Sequence, residues 1–592
     1  MVQRNEITWN KKCSHDGILY FMQRVVEMLD YETIDIFRAP LYNTSRLIIE
    51  YLQIGEGAVK QFHLNEVLNE LKSSLEHDIV LQYKLGEARI TQILNKLNKE
   101  TDKKPIIEYL NRSIVPRYLS WCVEYILHIV PQKSEKRKIE RAVRCYLPEL
   151  FRYGYNREDI FFSYRSALTT TTNPDETFAH LLNTYNGSPQ EYSVYLSIHK
   201  ELLEFDDVLE HNLMCSLNND GHFHKLNTWT DFTVIKLSPI TAMSMTSAVT
   251  LSLERINTFL RFYKFFGNYS NKLIQNSALV ISSQGSERII YTSKDKFNSI
   301  ESDNHPQTGI LSKLIISKLF SSSRKSIAEL QKILSLHNRA ISNNGLENGF
   351  LNLWSILEVT CVHDPNASKI DQVISQLVPI LKLKYLSCVF EHLSDNLKQI
   401  TEEDIWTNLL NTITDGTIDA EKIAYLVLCP KYADLFEEFT DNFLNYPVIR
   451  SRLLNIHDDY FEHRRNLFNY IERYAQRVSW HIYRIYRARN AITHNGKQPR
   501  DIKDLGEHLH AYVDCLLEEI IVKMCMGSLD KVSNVFVDSM LYLDSIEEYM
   551  KTDAPFDEAG IALIFSARVF CWCNNKTNSS EIVSPSQSQS NE

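Results

Sequence analysis

Glycine and proline are scarce in this chain, 17 and 16 in 592 residues, about half of the roughly 12% that the two together make up in average proteins. So few turn formers exclude a fold of many short strands and predict long helices. Basic excess is missing too. The net charge is -10, so the chain as a whole does not hold polyanions nonspecifically, and any nucleic-acid site has to be a local patch. Paired cysteine spacing is also absent. The 11 cysteines, an odd number, are scattered from Cys13 to Cys573, which is the pattern of reduced thiols in a cytoplasmic protein. Cys571 and Cys573 form a lone C-x-C with no second pair nearby, which does not make a zinc site. Long apolar runs are lacking as well. The most apolar window, Ile561 to Cys573, contains Arg568 and is too short and too charged to span a bilayer. The first residues, MVQRNEITWNKKCSHDG, have no apolar core of a signal peptide. The expectation is a cytoplasmic protein without membrane contact.

Several common chemistries have no foothold. GEGAVK at Gly55 lacks the third glycine of a dinucleotide loop, and no GxxxxGK[ST], HExxH or GxSxG occurs. His222 and His224 flank Phe223 on an expected strand and share one side, but no third ligand is in sight, so they read as surface histidines. His508 and His510 diverge by about 200° on a helix, and His457 and His463 diverge as well. No metal and no cofactor is expected.

A chain of 592 residues has room for two to four domains. Residues 1–168 read as a helical N-terminal domain. Leu64, Leu68, Leu71, Leu75 and Ile79 recur at three- and four-residue steps, with Glu66, Glu70 and Lys72 on the opposite face. TTTTNPDE, Thr169 to Glu176, reads as a polar break, after which the period changes. Tyr192, Val194, Leu196 and Ile198 alternate along a strand, Asp220-Gly221 has hairpin-turn chemistry, a helix runs from about Ala242 to Phe266, and a second hairpin turns about Gly285. Residues 177–293 are therefore expected as a small α+β middle domain. A linker follows over Lys294 to Gly309, and helices return in 310–553. There Phe350, Leu353, Trp354 and Leu357 share a face, and no glycine or proline interrupts Tyr460 to Thr493. The tail, 576–592, is low in complexity and reads as disordered. The fold class expected is mainly α, with a C-terminal all-helical bundle.

One stretch carries a chemical lead, RNAITHNG, Arg489 to Gly496. Chance alone produces about one Arg-x4-His pair in a chain of this composition. Two occur, and only the second, Arg489 to His494, has an amide directly after its arginine. From His463 to Arg500 nine Lys or Arg stand against one acid, Glu472. Phe468, Tyr470, Tyr474, Trp480, Tyr483 and Tyr486 are interleaved with them. Guanidinium groups bind phosphates bidentately and aromatic faces stack on unpaired bases. An amphipathic helix with buried aromatics and solvated arginines accounts for the same pattern. Asn490 and His494 share a helix face, whereas Arg489 and His494 lie about 140° apart. Either the helix loosens before Asn495-Gly496, or the two side chains act across a groove between subunits.

Arg489, then Asn490, then three residues and His494, at the end of a long helix with another expected from Asp504 to about Met526, resembles the catalytic signature of HEPN-superfamily ribonucleases. FLNLWSILE, Phe350 to Glu358, is similar to the first part of the ApeA-like branch. The resemblance covers roughly residues 310–530. It implies an all-helical HEPN-like domain that dimerises, brings two motifs together and cleaves RNA without a metal. Many members are toxins or effectors of bacterial anti-phage defence. The matching catalytic positions are Arg489, Asn490 and His494, and the cations expected to hold RNA are Arg477, Arg484, Arg487, Lys497 and Arg500. Histidine, with an ordinary pKa of about 6.5, accepts or donates a proton near neutrality, and arginine stabilises a phosphorane-like transition state. Glu358 reads as a surface carboxylate ahead of a partner to the motif. A phage-derived or host trigger is the expected activator. The alternative is a non-catalytic HEPN-like module that binds RNA, a nucleotide or a protein.

Overall fold

The computed structural model describes residues 16–30, 42–55, 61–132, 135–170, 173–205, 215–217, 226, 230–266, 273–292, 324–342, 345–444, 446–496, 499, 501–525 and 531–566. The expected Asp220-Gly221 turn, His222, His224, the Lys294–Gly309 linker, the Cys571/Cys573 pair and the 576–592 tail lie outside them. The chain is mainly helical with one antiparallel sheet. It divides into two compact units. One comprises Met1–Thr33, Leu41–Lys294 and Phe443–Ser451, and the other Ile34–Pro40, Asp295–Asn442 and Arg452–Glu592. The stretches 1–168 and 177–293 thus share a unit, although their apolar cores are separate.

In the first unit, helices α1 (Asp16–Leu29), α2 (Thr44–Gly55), α3 (Gln61–His77), α4 (Ile79–Leu85), α5 (Tyr118–Ile129), α6 (Lys136–Tyr153) and α7 (Arg157–Thr170) surround one core. The leucine stripe does what its spacing predicts, with Leu68, Leu71 and Leu75 buried along α3. Ile79 belongs to the next helix, because Asp78 stops one and starts the other. Its Oδ1 accepts from the N–H groups of Val80 and Leu81, each at 3.0 Å, the bonds that satisfy a helix N-terminus. Its Oδ2 accepts from Thr44 Oγ1 at 2.6 Å and Tyr118 Oη at 2.5 Å.

The expected break at Thr169 to Glu176 is instead the start of another helix, α8 (Pro174–Thr184). Asn173 caps it, its side chain accepting from Glu176 N–H, and Pro174 takes the first position, where no N–H is needed. The period changes only at Gln190. Strands β1 (Gln190–His199), β2 (Cys215–Leu217), β3 (Phe232–Ala242), β4 (Ile274–Ser282) and β5 (Glu287–Tyr291) form a sheet in the order β2-β3-β1-β4-β5. Tyr192, Val194, Leu196 and Ile198 of central β1 pack in the same core as Ala248, Val249, Ile256 and Leu260 of helix α9 (Met245–Phe266). That helix begins later than expected, since Ala242 still pairs with Gln190 in the sheet. Asp159 caps it by accepting from Thr246 N–H at 3.0 Å and Thr246 Oγ1 at 2.7 Å. The hairpin about Gly285 is present, and its φ of 85° is the left-handed conformation such a turn asks of glycine.

The second unit packs α10 (Arg324–Ser342), α11 (Leu346–Cys361), α12 (Lys369–Ile400), α13 (Arg464–Asn495), α14 (Ile502–Cys525) and α15 (Asn534–Lys551) around a shared core. Phe350, Leu353, Trp354 and Leu357 of α11 are all buried in it. Among the described residues α12 is the one helix long and apolar enough to cross a membrane, a longer apolar stretch than the 561–573 window singled out above. Its place here is in the core. Lys384 Nζ lies 2.8 Å from Glu518 Oε2, and Lys382 pairs with Glu472 and Glu547, so its two buried lysines are matched by acids of neighbouring helices.

Candidate active site at the end of a long helix

Helix α13 runs for 32 residues and ends where glycine permits it. Gly496 has a φ of 57°, and its N–H bonds to the Ile492 carbonyl at 3.1 Å. The helix therefore does not loosen ahead of Asn495-Gly496. Five residues of unbroken helix turn the Arg489 and His494 side chains about 140° apart, which removes the first of the two arrangements weighed from the sequence.

Arg489 is held from two sides. Its Nη1 donates to Asn490 Oδ1 at 3.1 Å, and its Nη2 lies 3.4 Å from Glu358 Oε1. The same Glu358 oxygen accepts from Trp354 Nε1 at 3.0 Å, one helical turn back on α11. Trp354 is buried and packs on Tyr486, with ring centres 5.5 Å apart. Glu358 is thus no simple surface carboxylate. Its side chain is 21% exposed and Arg489's 23%, so the pair is partly shielded yet open to solvent. His494 is exposed on the last turn, four residues beyond Asn490 and on the same face.

The flanking aromatics serve the core. Tyr474 stacks on Tyr385 at 4.1 Å between centres, Tyr470 and Tyr385 share a hydroxyl contact at 2.9 Å, and Tyr483 Oη donates to Asp371 Oδ1 at 2.8 Å. Tyr474, Trp480 and Tyr483 are buried. Withdrawing one such ring costs about 1.5–3 kcal/mol, as much as stacking on one base returns, about 1–3 kcal/mol. The amphipathic-helix account of these rings therefore holds. The expected RNA-holding cations divide accordingly. Arg484 is only 5% exposed, so its guanidinium is not presented to a phosphate, a correction to the expectation. Arg477 and Arg487 are partly buried, and Arg477 has a buried Nε with no hydrogen-bond partner among the described residues. Lys497 and Arg500 lie outside the described residues.

The histidines diverge as their spacing requires. His457 lies between Phe436 and Phe461, and His463 Nδ1 faces Asp553 Oδ1 at 3.0 Å. His508 meets buried His481, with ring centres 5.1 Å apart. His510 turns the other way and meets His337 of α10, with Asp514 alongside. This last grouping escaped the sequence reading. Its only local sign is the four-residue step from His510 to Asp514, which puts both on one helix face.

Comparison adds no relative, since no family model, curated protein or solved structure matches the chain.

Proposed function

We propose that this chain is a metal-independent endoribonuclease of the HEPN type, acting as a homodimer in which Arg489 of one copy and His494 of the other serve the same scissile phosphate. The observation that carries the reading is the unbroken final turn of α13. It exposes His494 and turns it away from Arg489, which Glu358 and Asn490 hold in a fixed pose. Within one chain the two groups face different directions, and a two-fold pairing of the helix ends supplies the missing convergence. His494 takes the proton of the ribose 2'-hydroxyl as its oxygen bonds to phosphorus. Arg489 neutralises the added charge on the phosphoryl oxygens, the P–O5' bond breaks, and the 5'-oxygen leaves with a proton. The products are a 2',3'-cyclic phosphate and a 5'-hydroxyl. DNA lacks the nucleophile and is spared.

In this reading the protein is a regulated toxin or effector of anti-phage defence, released by a phage-derived or host trigger, with the rest of the chain acting as sensor, inhibitor or substrate-positioning module. The second reading, a non-catalytic binder of RNA, a nucleotide or a protein, draws on the pairing of Arg489 with Glu358, which already satisfies part of the guanidinium. Incubating the purified protein with total RNA in EDTA, alongside Arg489→Ala and His494→Ala, and scoring the toxicity of each on expression, separates the two. Cyclic-phosphate ends and toxicity that both substitutions abolish are the expected result. Binding without cleavage or toxicity in all three proteins points to the binder.

A further inference from the structure

His337 Nε2 lies 3.2 Å from His510 Nε2 and 3.2 Å from Asp514 Oδ1. The ring planes are 13° from parallel with centres 5.3 Å apart. The ring nitrogens are thus much closer than the ring centres, and the two imidazoles meet edge to edge through Nε2. Lone pairs so placed repel unless a proton or a cation stands between them. We propose that His337, His510 and Asp514 form a binding site for a divalent transition-metal ion, with zinc as the occupant.

The donor set selects the ion. Two imidazoles and one carboxylate suit zinc, whereas magnesium and calcium prefer oxygen throughout. Tetrahedral ligands about 2.0–2.1 Å from zinc stand about 3.3–3.4 Å from one another, close to the two 3.2 Å separations. The second oxygen of Asp514 lies 3.4 Å from His510 Nδ1. A carboxylate there favours the Nδ1–H tautomer and leaves the Nε2 lone pair for the metal, the usual support of a ligating histidine. The His337 and His510 side chains are 16% and 8% exposed, and that of Asp514 is 38% exposed. The nitrogen ligands are shielded, and the carboxylate side gives access to an ion and to a water as fourth ligand. His337 belongs to α10 and the other two ligands to α14, so the ion ties these helices together. Its role is structural and independent of the Arg489 and His494 chemistry.

The test uses the full chain, stripped with a chelator, dialysed and titrated with cobalt(II), then with zinc in competition. Wild type is expected to develop the visible bands of tetrahedral cobalt at one equivalent per chain, and to melt at a higher temperature once loaded with zinc. His337→Ala and the isosteric Asp514→Asn, each checked for folding by circular dichroism, are expected to weaken binding by more than about tenfold, since the loss of even an outer partner costs 10- to 100-fold. Two results overturn the proposal. No uptake by wild type means that a proton bridges the imidazoles. Equal uptake by wild type and a folded Asp514→Asn places the ion on other groups of the chain. Because the ion only ties helices, RNA cleavage in chelator well below the melting temperature is expected to persist, so the two proposals fail separately.

Discussion

Arg489 illustrates how much a single side chain depends on one that the motif does not contain. Glu358 reaches it from α11 and is itself oriented by Trp354 Nε1. Glu358→Gln keeps the shape and the oxygen facing Trp354 while removing the charge that holds the guanidinium. If Arg489 has to be posed for the phosphate, the single-turnover cleavage rate falls by about 10- to 100-fold, the usual cost of a small misplacement. The melting midpoint moves little, because a partly exposed ion pair contributes at most about 1 kcal/mol. An unchanged rate removes Glu358 from the site. The motif itself was legible, since Arg489, Asn490 and His494 are neighbours on one helix. Glu358 was not, because a carboxylate four residues beyond a tryptophan looks the same whether it meets water or an arginine far along the chain.

Between elements, the contact of α13 with α14 contains a built-in pH dependence. His481 is fully buried against Tyr512 Oη at 2.9 Å, and burial, with smaller contributions from His508 and Arg484, holds its pKa well below the ordinary 6.5. The folded state therefore keeps this imidazole neutral while the unfolded chain protonates it. Stability from this group is complete above about pH 6.5 and is lost as pH falls below it, by up to about 1.4 kcal/mol per pH unit. Thermal melts from about pH 7.5 down to 5.5 are expected to show this decline in wild type and a shallower one in His481→Phe. Equal slopes mean that His481 does not titrate on unfolding. At this scale the sequence was informative about length and less so about starts. Absence of glycine and proline marked out α13, and Gly496 its end. Thr169 to Glu176 misled because a polar run with proline describes a loop and a capped helix start equally well, and α8 follows Asn173.

For the whole molecule, the decisive question is whether the site is shared between copies. Mixing co-refolded Arg489→Ala and His494→Ala chains tests it directly. If each site takes its arginine from one copy and its histidine from the other, half of the dimers are mixed, and each of these has one intact site, restoring about one quarter of wild-type cleavage. Sites built within single chains give no recovery. Sedimentation of the wild-type chain is expected to show a dimer over the same concentrations. A monomer that still cleaves RNA contradicts the shared site.

Periodicity and punctuation sufficed for the helical class, the alternating face of β1, the stripe along α3 and the end of α13. Each of these depends on neighbours two to four residues apart, whose relation the backbone geometry dictates. Packing alone turned the α13 aromatics inward, enclosed Arg484, set Glu358 against Arg489, and brought His337 to His510 across 173 positions. These are meetings of side chains from separate helices, and no local preference of either partner specifies them.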